Sequence, residues 1–329
     1  MAIQAVTVGN AYARMRCYIF HKLRFLNGNI YANNNHLNYT LHLYRFRKRN
    51  KLLANTHSPS KTLGPRAAQL ITELNELRRT TFTLADVGAI TGLSASSCRN
   101  LVHKAGRRGL VTRLKPGMYN LVPFELGRAT EHIGSPYLIA RELAGTAPYF
   151  LSHGSALELH RMVTQPNFTI HVSCTRRVRP QTLGGYQFRF IHINAEQTFG
   201  VVKHWIDKEH FVMLSDMERT IIDGLRHPAL VGGITEVARG LWMKRDELKV
   251  ERLLEYARGL GVGAVVRRLG YLLEHFHLAD AAMLGALRET LSATYQRLDP
   301  SLPAEGAFLS RWRLQLNVTA AELDALRFG

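Results

Sequence analysis

The sequence has little cysteine. Cys17, Cys98 and Cys174 stand far apart, with no Cys-x-x-Cys spacing. That argues against a disulfide framework and against a cysteine-based zinc site, and it makes a reducing cytoplasm the expected location. Long apolar runs are absent too: no uncharged stretch approaches the ~20 residues a membrane-spanning helix needs, so no membrane partner is expected. Acid is scarce, and unevenly so. Against 43 Lys and Arg there are 25 Asp and Glu, a net charge of +18. Residues 1–60 hold nine Lys or Arg and no acid, residues 61–123 hold ten against three, and residues 124–329 hold 24 against 22. A polyanion, nucleic acid before any other, is therefore expected to meet the first 123 residues rather than the nearly neutral remainder.

What is present begins with apolar content of 46%, enough for a real core, in a chain of 329 residues that suggests two domains. Residues 1–62 read as a separate basic segment. It contains Asn33, Asn34 and Asn35 in a row, a run from Tyr44 to Lys51 that mixes aromatics with cations, and a polar stretch from Asn55 to Lys61. Three readings stay open: a disordered arm that tracks phosphates, an acid-free targeting peptide, or upstream sequence translated from a mis-called start.

From Leu63 the pattern changes. Pro65 suits a helix start, and Leu70, Ile71, Leu74 and Leu77 recur at helical spacing. A second helix is predicted from Leu84 to Ile90, capped by Thr83 with Asp86 favouring its N-terminus. After a turn at Thr91-Gly92-Leu93, Ser94 caps a third helix to about Arg107, and Leu110–Leu114 and Met118–Val122 read as strands around Lys115-Pro116-Gly117. Helix, helix, turn, helix and hairpin is the order of a winged helix-turn-helix, here over residues 63–123. Leu84, Val87, Ile90, Leu93, Cys98, Leu101, Val102 and Leu110 are expected to form its core. That leaves Ser96, Ser97, Arg99, Asn100, His103, Lys104 and Arg107 outward, on a helix that fits a major groove. Arg99 can fork onto guanine and Asn100 can pair with adenine. Ser96 and Ser97 can donate to phosphates or bases, Lys104 and Arg107 can hold phosphates, and Arg113 and Lys115 at the hairpin tip can touch the adjacent backbone or minor groove. Double-stranded DNA is the expected partner. Five such cations imply a log–log salt slope of roughly −4 to −5.

Beyond Pro123 the reading is α+β, with the later part mostly helical: a helix over Pro136–Leu143, a short strand over Tyr149–Leu151 and a helix over Ser155–Met162. Strands follow over Phe168–Ser173, Tyr186–Ile193 and Phe211–Leu214. Helices are then expected over about 217–226, 233–243, 246–258, 262–276 and 280–297, with a closing strand over Phe308–Leu316.

Chemistry is sparse there. In Ser152-His153-Gly154-Ser155 the hydroxyls adjoin a histidine without an orienting acid, so a serine capping the next helix is the expected role. His275 and His277 fall on different sides of a helix and suit packing better than a metal. Asp216, Glu218 and Asp223 could hold a cation for nuclease chemistry. The plainer roles are a cap at Asp216, dipole complementarity at Glu218 and a buried salt bridge at Asp223. No catalytic residue, metal or cofactor is expected, and no glycine pattern makes a phosphate loop.

Five segments in order resemble a known family. They are Gly117-Met118-Tyr119-Asn120-Leu121-Val122-Pro123, Tyr149-Phe150-Leu151-Ser152-His153-Gly154-Ser155-Ala156-Leu157 and Leu214-Ser215-Asp216-Met217-Glu218-Arg219-Thr220-Ile221-Ile222-Asp223. The last two are Ile234-Thr235-Glu236-Val237-Ala238 and Arg268-Leu269-Gly270-Tyr271-Leu272-Leu273-Glu274. Together they resemble the antitoxin of the AbiE abortive-infection (type IV) toxin–antitoxin system, over about residues 63–300. The resemblance implies a winged domain that represses its own operon at promoter inverted repeats, with DNA contacts carrying over at Arg99, Lys104, Arg107 and Arg113. It implies that residues 124–329 oppose a nucleotidyltransferase-like toxin. The extension before residue 63 departs from the family. Two other functions compete with this one: a winged-helix regulator that answers to a ligand without any toxin, and a DNA-processing enzyme using Asp216, Glu218 and Asp223.

Overall fold

Pro65, with its φ fixed near the helical value and no amide hydrogen to satisfy, starts the first helix of the structure. The structure is a computed structural model that describes residues 61–163 and 167–328. The basic extension expected over residues 1–62 lies outside them, apart from Lys61 and Thr62. Residues from Ser60 onward form one unit.

Helix α1 (Pro65–Glu76) buries Ala67, Leu70, Ile71 and Leu74, the i, i+3, i+4, i+7 stripe of an amphipathic helix. Strand β1 (Thr81–Thr83) leads directly into α2 (Leu84–Thr91). Thr83 and Asp86 cap that helix reciprocally: the Thr83 amide donates to the Asp86 carboxylate at 2.7 Å, and the Asp86 amide donates to Thr83 Oγ1 at 3.3 Å. Such a cap stabilises by about 1 kcal/mol. Gly92, at φ 67°, ends α2 in the left-handed region, and Ser94 opens α3 (Ala95–Arg107). Strands β2 (Val111–Lys115) and β3 (Met118–Leu121) then turn through Gly117, at φ 80°. The sheet order is β1-β3-β2, antiparallel throughout. All eight expected core residues fall in one cluster, with Leu84, Ile90, Leu93 and Leu101 half-buried at its margin. The cluster also takes in Phe82 from β1, a strand too short to leave an alternating pattern in the sequence.

The register slips between Arg113 and Lys115, a bulge in the hairpin. A bulge re-aims the side chains around it. Leu114 is accordingly buried not with the helices but in a second cluster, against Ile133, Ile139 and Leu143. The hairpin is thus shared between two cores.

The second core belongs to a mixed six-stranded sheet. In chain order come α4 (Pro136–Ala144), β4 (Tyr149–Leu151), α5 (His153–Leu159), β5 (Thr169–Cys174), β6 (Gln181–Leu183), β7 (Tyr186–His192), β8 (Val201–Trp205) and β9 (Phe211–Ser215). The sheet runs β6-β7-β5-β4-β9-β8, parallel between β5 and β7 and between β4 and β9. Its two faces differ. Leu151, Ile170, Val172, Phe188, Val212 and Leu214 make one apolar face, covered by Ile139, Ala140 and Leu143 of α4. The alternate positions put His171, Ser173 and Ser215 on the other face, and these are buried as well.

A helical part follows: α6 (Met217–Arg226), α7 (Ile234–Met243), α8 (Val250–Leu260), α9 (Gly263–His275) and α10 (Ala281–Arg288). A small sheet of β10 (Gln296–Arg297), β11 (Ala307–Leu309) and β12 (Leu314–Leu316) precedes a last helix, α11 (Ala320–Ala325). Trp312 is fully buried on Gly270, where a Cβ would come within 2.1 Å of the indole ring. The fold is α+β, as expected, but several boundaries move. Helix α8 starts at Val250 rather than 246, where Glu218 accepts the Lys249 amide at 2.8 Å. Helix α10 stops at Arg288 instead of reaching 297, because Arg267 draws the chain off the helical path through the Ser292 and Thr294 carbonyls, at 3.0 and 3.1 Å. The closing strand expected over Phe308–Leu316 is broken at Ser310–Trp312, where Arg313 takes a left-handed φ of 50° and the chain returns as a hairpin. Strands β1, β6, β8 and β10 and helix α11 have no counterpart among the expected elements.

Candidate nucleic-acid interface

Burial of Cys98, Val102 and Ala105 fixes the rotation of α3. Ser96, Arg99, Asn100, His103, Lys104 and Arg107 then follow one another at i, i+3, i+4, i+7, i+8 and i+11, and all six are exposed. From Arg99 to Arg107 none of them makes a side-chain hydrogen bond or ion pair among the described residues. Lys104 and Arg107 stand in the last turn, where the helix dipole favours cations in any case. Arg99, in the first half of the helix, gains nothing from that dipole and meets no acid, so its charge is open to an outside anion.

Other expected site residues are less available. Ser97 is half-buried and bound to the cap, with Ser94 Oγ 3.1 Å from its hydroxyl. Arg113 is exposed on the hairpin. Lys115 is not placed as expected: the bulge turns it inward, and its Nζ donates to the Glu142 carbonyl at 2.6 Å. It anchors the hairpin to α4 and leaves four cations, Arg99, Lys104, Arg107 and Arg113, on this surface.

The acids of the alternative enzymatic reading all have structural partners. Asp216 caps α6 by accepting the Arg219 amide at 2.7 Å, and its second oxygen accepts the Tyr256 hydroxyl at 2.9 Å. Glu218 caps α8. Asp223 accepts Arg219 Nε at 2.9 Å in a pair whose side chains are 4% and 1% exposed. Burial pushes the Asp223 carboxyl up from its usual range, against the pull of Arg219. Arg219 also donates to the Gln197 and Phe199 carbonyls and lies over the Phe199 ring at 4.1 Å. These residues weld β9, α6 and α8 together.

Neither serine of the Ser152–Ser155 segment caps α5 with its side chain, contrary to the expectation. Ser173 Oγ donates to Ser152 Oγ at 2.9 Å, and Ser152 Oγ lies 2.9 Å from His153 Nδ1. Ser155 Oγ accepts the His171 amide at 2.9 Å. The hydroxyls knit α5 to the polar face of the sheet. His153 itself is buried with φ at 50°, a conformation that disfavours side-chain-bearing residues by roughly 1–2 kcal/mol. Burial holds its imidazole well below the ordinary histidine range and lowers that of His171 to about 4. The rings of His171 and His227 lie 6.2 and 5.7 Å from that of His153. Sequence reasoning missed these two, because they come from a strand interior and a helix end with no common motif. His275 pairs with Asp324 at 3.1 Å. Among the described residues no group of three or more His, Cys, Asp or Glu is placed to hold a metal. No described helix is long and apolar enough to cross a membrane.

No family model and no curated protein matches the chain. Among solved structures, the RV2827C protein from Mycobacterium tuberculosis is similar. The two superpose with a TM-score of 0.63 over 83% of this chain and 98% of that chain, at 18% identity. At that identity the likeness speaks for a shared fold and for nothing finer.

Proposed function

We propose that residues 63–123 are a winged helix-turn-helix that binds double-stranded DNA with α3 in the major groove. We propose further that the chain is an autorepressing antitoxin of the AbiE type. The observation that carries the DNA reading is the exposed row on α3, with an arginine and an asparagine in its first half and no acid to neutralise them. Arg99 would fork onto guanine O6 and N7, and Asn100 would pair with adenine N6 and N7. Lys104, Arg107 and Arg113 would hold phosphates and set the register. With three cations on phosphates, the salt slope should be about −2.7, at about 0.9 per phosphate contact.

The antitoxin reading rests on the ordered resemblance of five segments. Those segments form β3, the β4–α5 junction, the β9–α6 junction, α7 and α9, which are interior elements of the scaffold. On this reading the larger part opposes a nucleotidyltransferase-like toxin, and the winged part closes a feedback loop on promoter inverted repeats. The competing regulator would lack the toxin partner and would respond to a ligand.

Two experiments on the full chain test the halves separately. Fluorescence anisotropy with the DNA upstream of the gene should show binding that collapses in an Arg99→Ala/Lys104→Ala double variant. Equal binding by the double variant would remove α3 from the interface. Expression of the adjacent gene should arrest growth, and both the unsubstituted chain and the double variant should relieve the arrest. A harmless neighbour, or an arrest neither relieves, would leave a DNA-binding regulator and no antitoxin.

A further inference from the structure

Strand β1 stands at the edge of its sheet, paired with β3 alone. The Leu121 amide donates to the Thr80 carbonyl at 2.8 Å, and the Leu84 amide donates to the Gly117 carbonyl at 3.2 Å. In an antiparallel ladder the residues between such bonds turn their own amide and carbonyl the other way. The Thr83 amide, which meets the Asp86 carboxylate, marks that outward direction. Thr81 shares it, and its amide and carbonyl have no partner among the described residues. They do not face open water. Thr80, Thr81, Phe82 and Thr83 line one side of a cavity of about 270 Å³, and Leu138, Arg141 and Glu142 of α4 line another. Arg79, Met118 and His210 complete it. Arg78 and Glu209, the chain neighbours of Arg79 and His210, form an ion pair that joins the turn before β1 to the turn before β9.

The charges around this cavity come in pairs. Arg79 donates to both oxygens of Asp86, at 2.9 and 3.1 Å. Glu142 Oε1 lies 3.2 Å from Arg141 Nε and 3.1 Å from its Nη2, and Arg141 Nη1 donates to the Phe211 carbonyl at 3.1 Å. His210 Nδ1 lies 2.9 Å from an Asp207 oxygen. A ligand of one sign alone would therefore meet little net charge of the other. What remains unused has both signs. Each guanidinium Nη carries two hydrogens, so Arg141 keeps one on each, and Glu142 Oε2 accepts nothing among the described residues.

We propose that this cavity binds a free α-amino acid with an apolar side chain. Such a molecule carries its ammonium and carboxylate on one carbon, where a strand residue carries its amide and carbonyl. It can pair with Thr81 as a residue of a neighbouring strand would: the carboxylate accepts the Thr81 amide, and the ammonium donates to the Thr81 carbonyl. Arg141 and Glu142 match the same two charges a second time, guanidinium to carboxylate and carboxylate to ammonium. Leu138 and Met118 give the side chain an apolar wall. The volume falls just below the ~300–1,000 Å³ of pockets for drug-sized ligands, as suits a molecule this small. Thr83 ends β1 and caps α2, so an occupant here touches the winged part and α4 at once. A ligand-responsive regulator would need a site in that position, but the inference rests on the cavity and not on that reading or on α3.

The test is a thermal-shift and calorimetric titration of the full chain with L-valine, L-leucine, L-isoleucine, L-methionine and L-phenylalanine, at constant pH and ionic strength. At least one should stabilise the chain, since a ligand that binds only the folded state must do so. The N-acetyl and the amide derivatives of that amino acid each lack one charge and should bind about tenfold more weakly. Glu142→Gln, which keeps an acceptor for Arg141, should weaken binding to a similar degree. Thr81→Pro removes the outward amide hydrogen at an edge position where proline costs no ladder bond, and should do the same. The Arg99→Ala/Lys104→Ala variant should bind the amino acid as the unsubstituted chain does, so a failure of the DNA reading and a failure of this site show in different variants. No stabilisation by any of the five, undiminished binding of either derivative, undiminished binding by Glu142→Gln, or loss of binding in the α3 variant would each overturn the proposal.

Discussion

The outer face of α3 and the polar face of the six-stranded sheet both carry cations and polar groups that the protein does not pair, and they do so in opposite surroundings. On α3 the groups stand in water. Leaving them unpaired there costs the fold almost nothing, so their presence says little about stability and much about what they could touch. Behind the sheet, His153, His171 and the Arg219–Asp223 pair are shut away from water, where every unmet group is a debit that apolar side chains would have avoided. Polar residues at a surface are the default; polar residues in a core are a choice. The difference should be visible in experiment.

The largest contrast is expected from the buried ion pair. Asp223→Ala strands Arg219 without its acid and should destabilise by about 3–5 kcal/mol in chemical denaturation. Arg107→Ala, on the outer face of α3, should stay within about 0.5 kcal/mol. Equal effects of the two would erase the distinction. The next contrast concerns pH. His171 has a folded pKa of about 4 against 6.5 when free. A histidine whose folded value is depressed contributes stability that is present above pH 6.5 and is lost as pH falls through 4. The loss should approach about 3 kcal/mol at pH 4, with His153 adding in the same direction. His171→Asn should flatten that part of the profile, and an unchanged profile would mean the imidazole is not held neutral. Third, Arg99→Ala should weaken specific DNA binding by about 1–3 kcal/mol and relax preference at one base pair. If it weakens all sequences alike, Arg99 holds a phosphate and reads nothing. The smallest effect is assigned to Lys115→Ala. It should lower stability by about 1 kcal/mol through the lost bond to the Glu142 carbonyl and leave the salt slope unchanged. A slope shallower by about 0.9 would instead put Lys115 on a phosphate.

The same division explains what could be read from the sequence. In residues 63–123 the elements are local: a helical stripe, a capping box and a glycine turn each announce themselves within a few residues, so helices, hairpin and outer face could be located from the sequence. Lys115 was misplaced because a bulge has no sequence period, and one extra residue suffices to turn a tip lysine inward. Farther on, the strands over Thr169–Cys174 and Tyr186–His192 were legible, but not their pairing, and the pairing is what sets His171 beside Arg189. Asp216 and Asp223 could be assigned as a cap and a salt bridge because both act within one helix. Glu218 could not be assigned in full, because its partner is the amide of Lys249 at the start of another helix. The length of α10 was overestimated for the same reason: Arg267, on the preceding helix, decides where it ends.

Leu114 and Lys115 have a further consequence for any operator read by two copies. Because the hairpin is held in the second core, α3 is carried by a stiff body and not by a swivelling head on a tether. Inserting one base pair between half-sites turns one copy about the duplex axis by roughly 35°, given ~10–10.5 base pairs per turn. A tethered reader would absorb such a step in its linker. On the proposed DNA reading, this chain would have to twist the DNA or give up one half-site, so its spacing rule should be strict to the base pair, with binding restored only after a full helical turn is added.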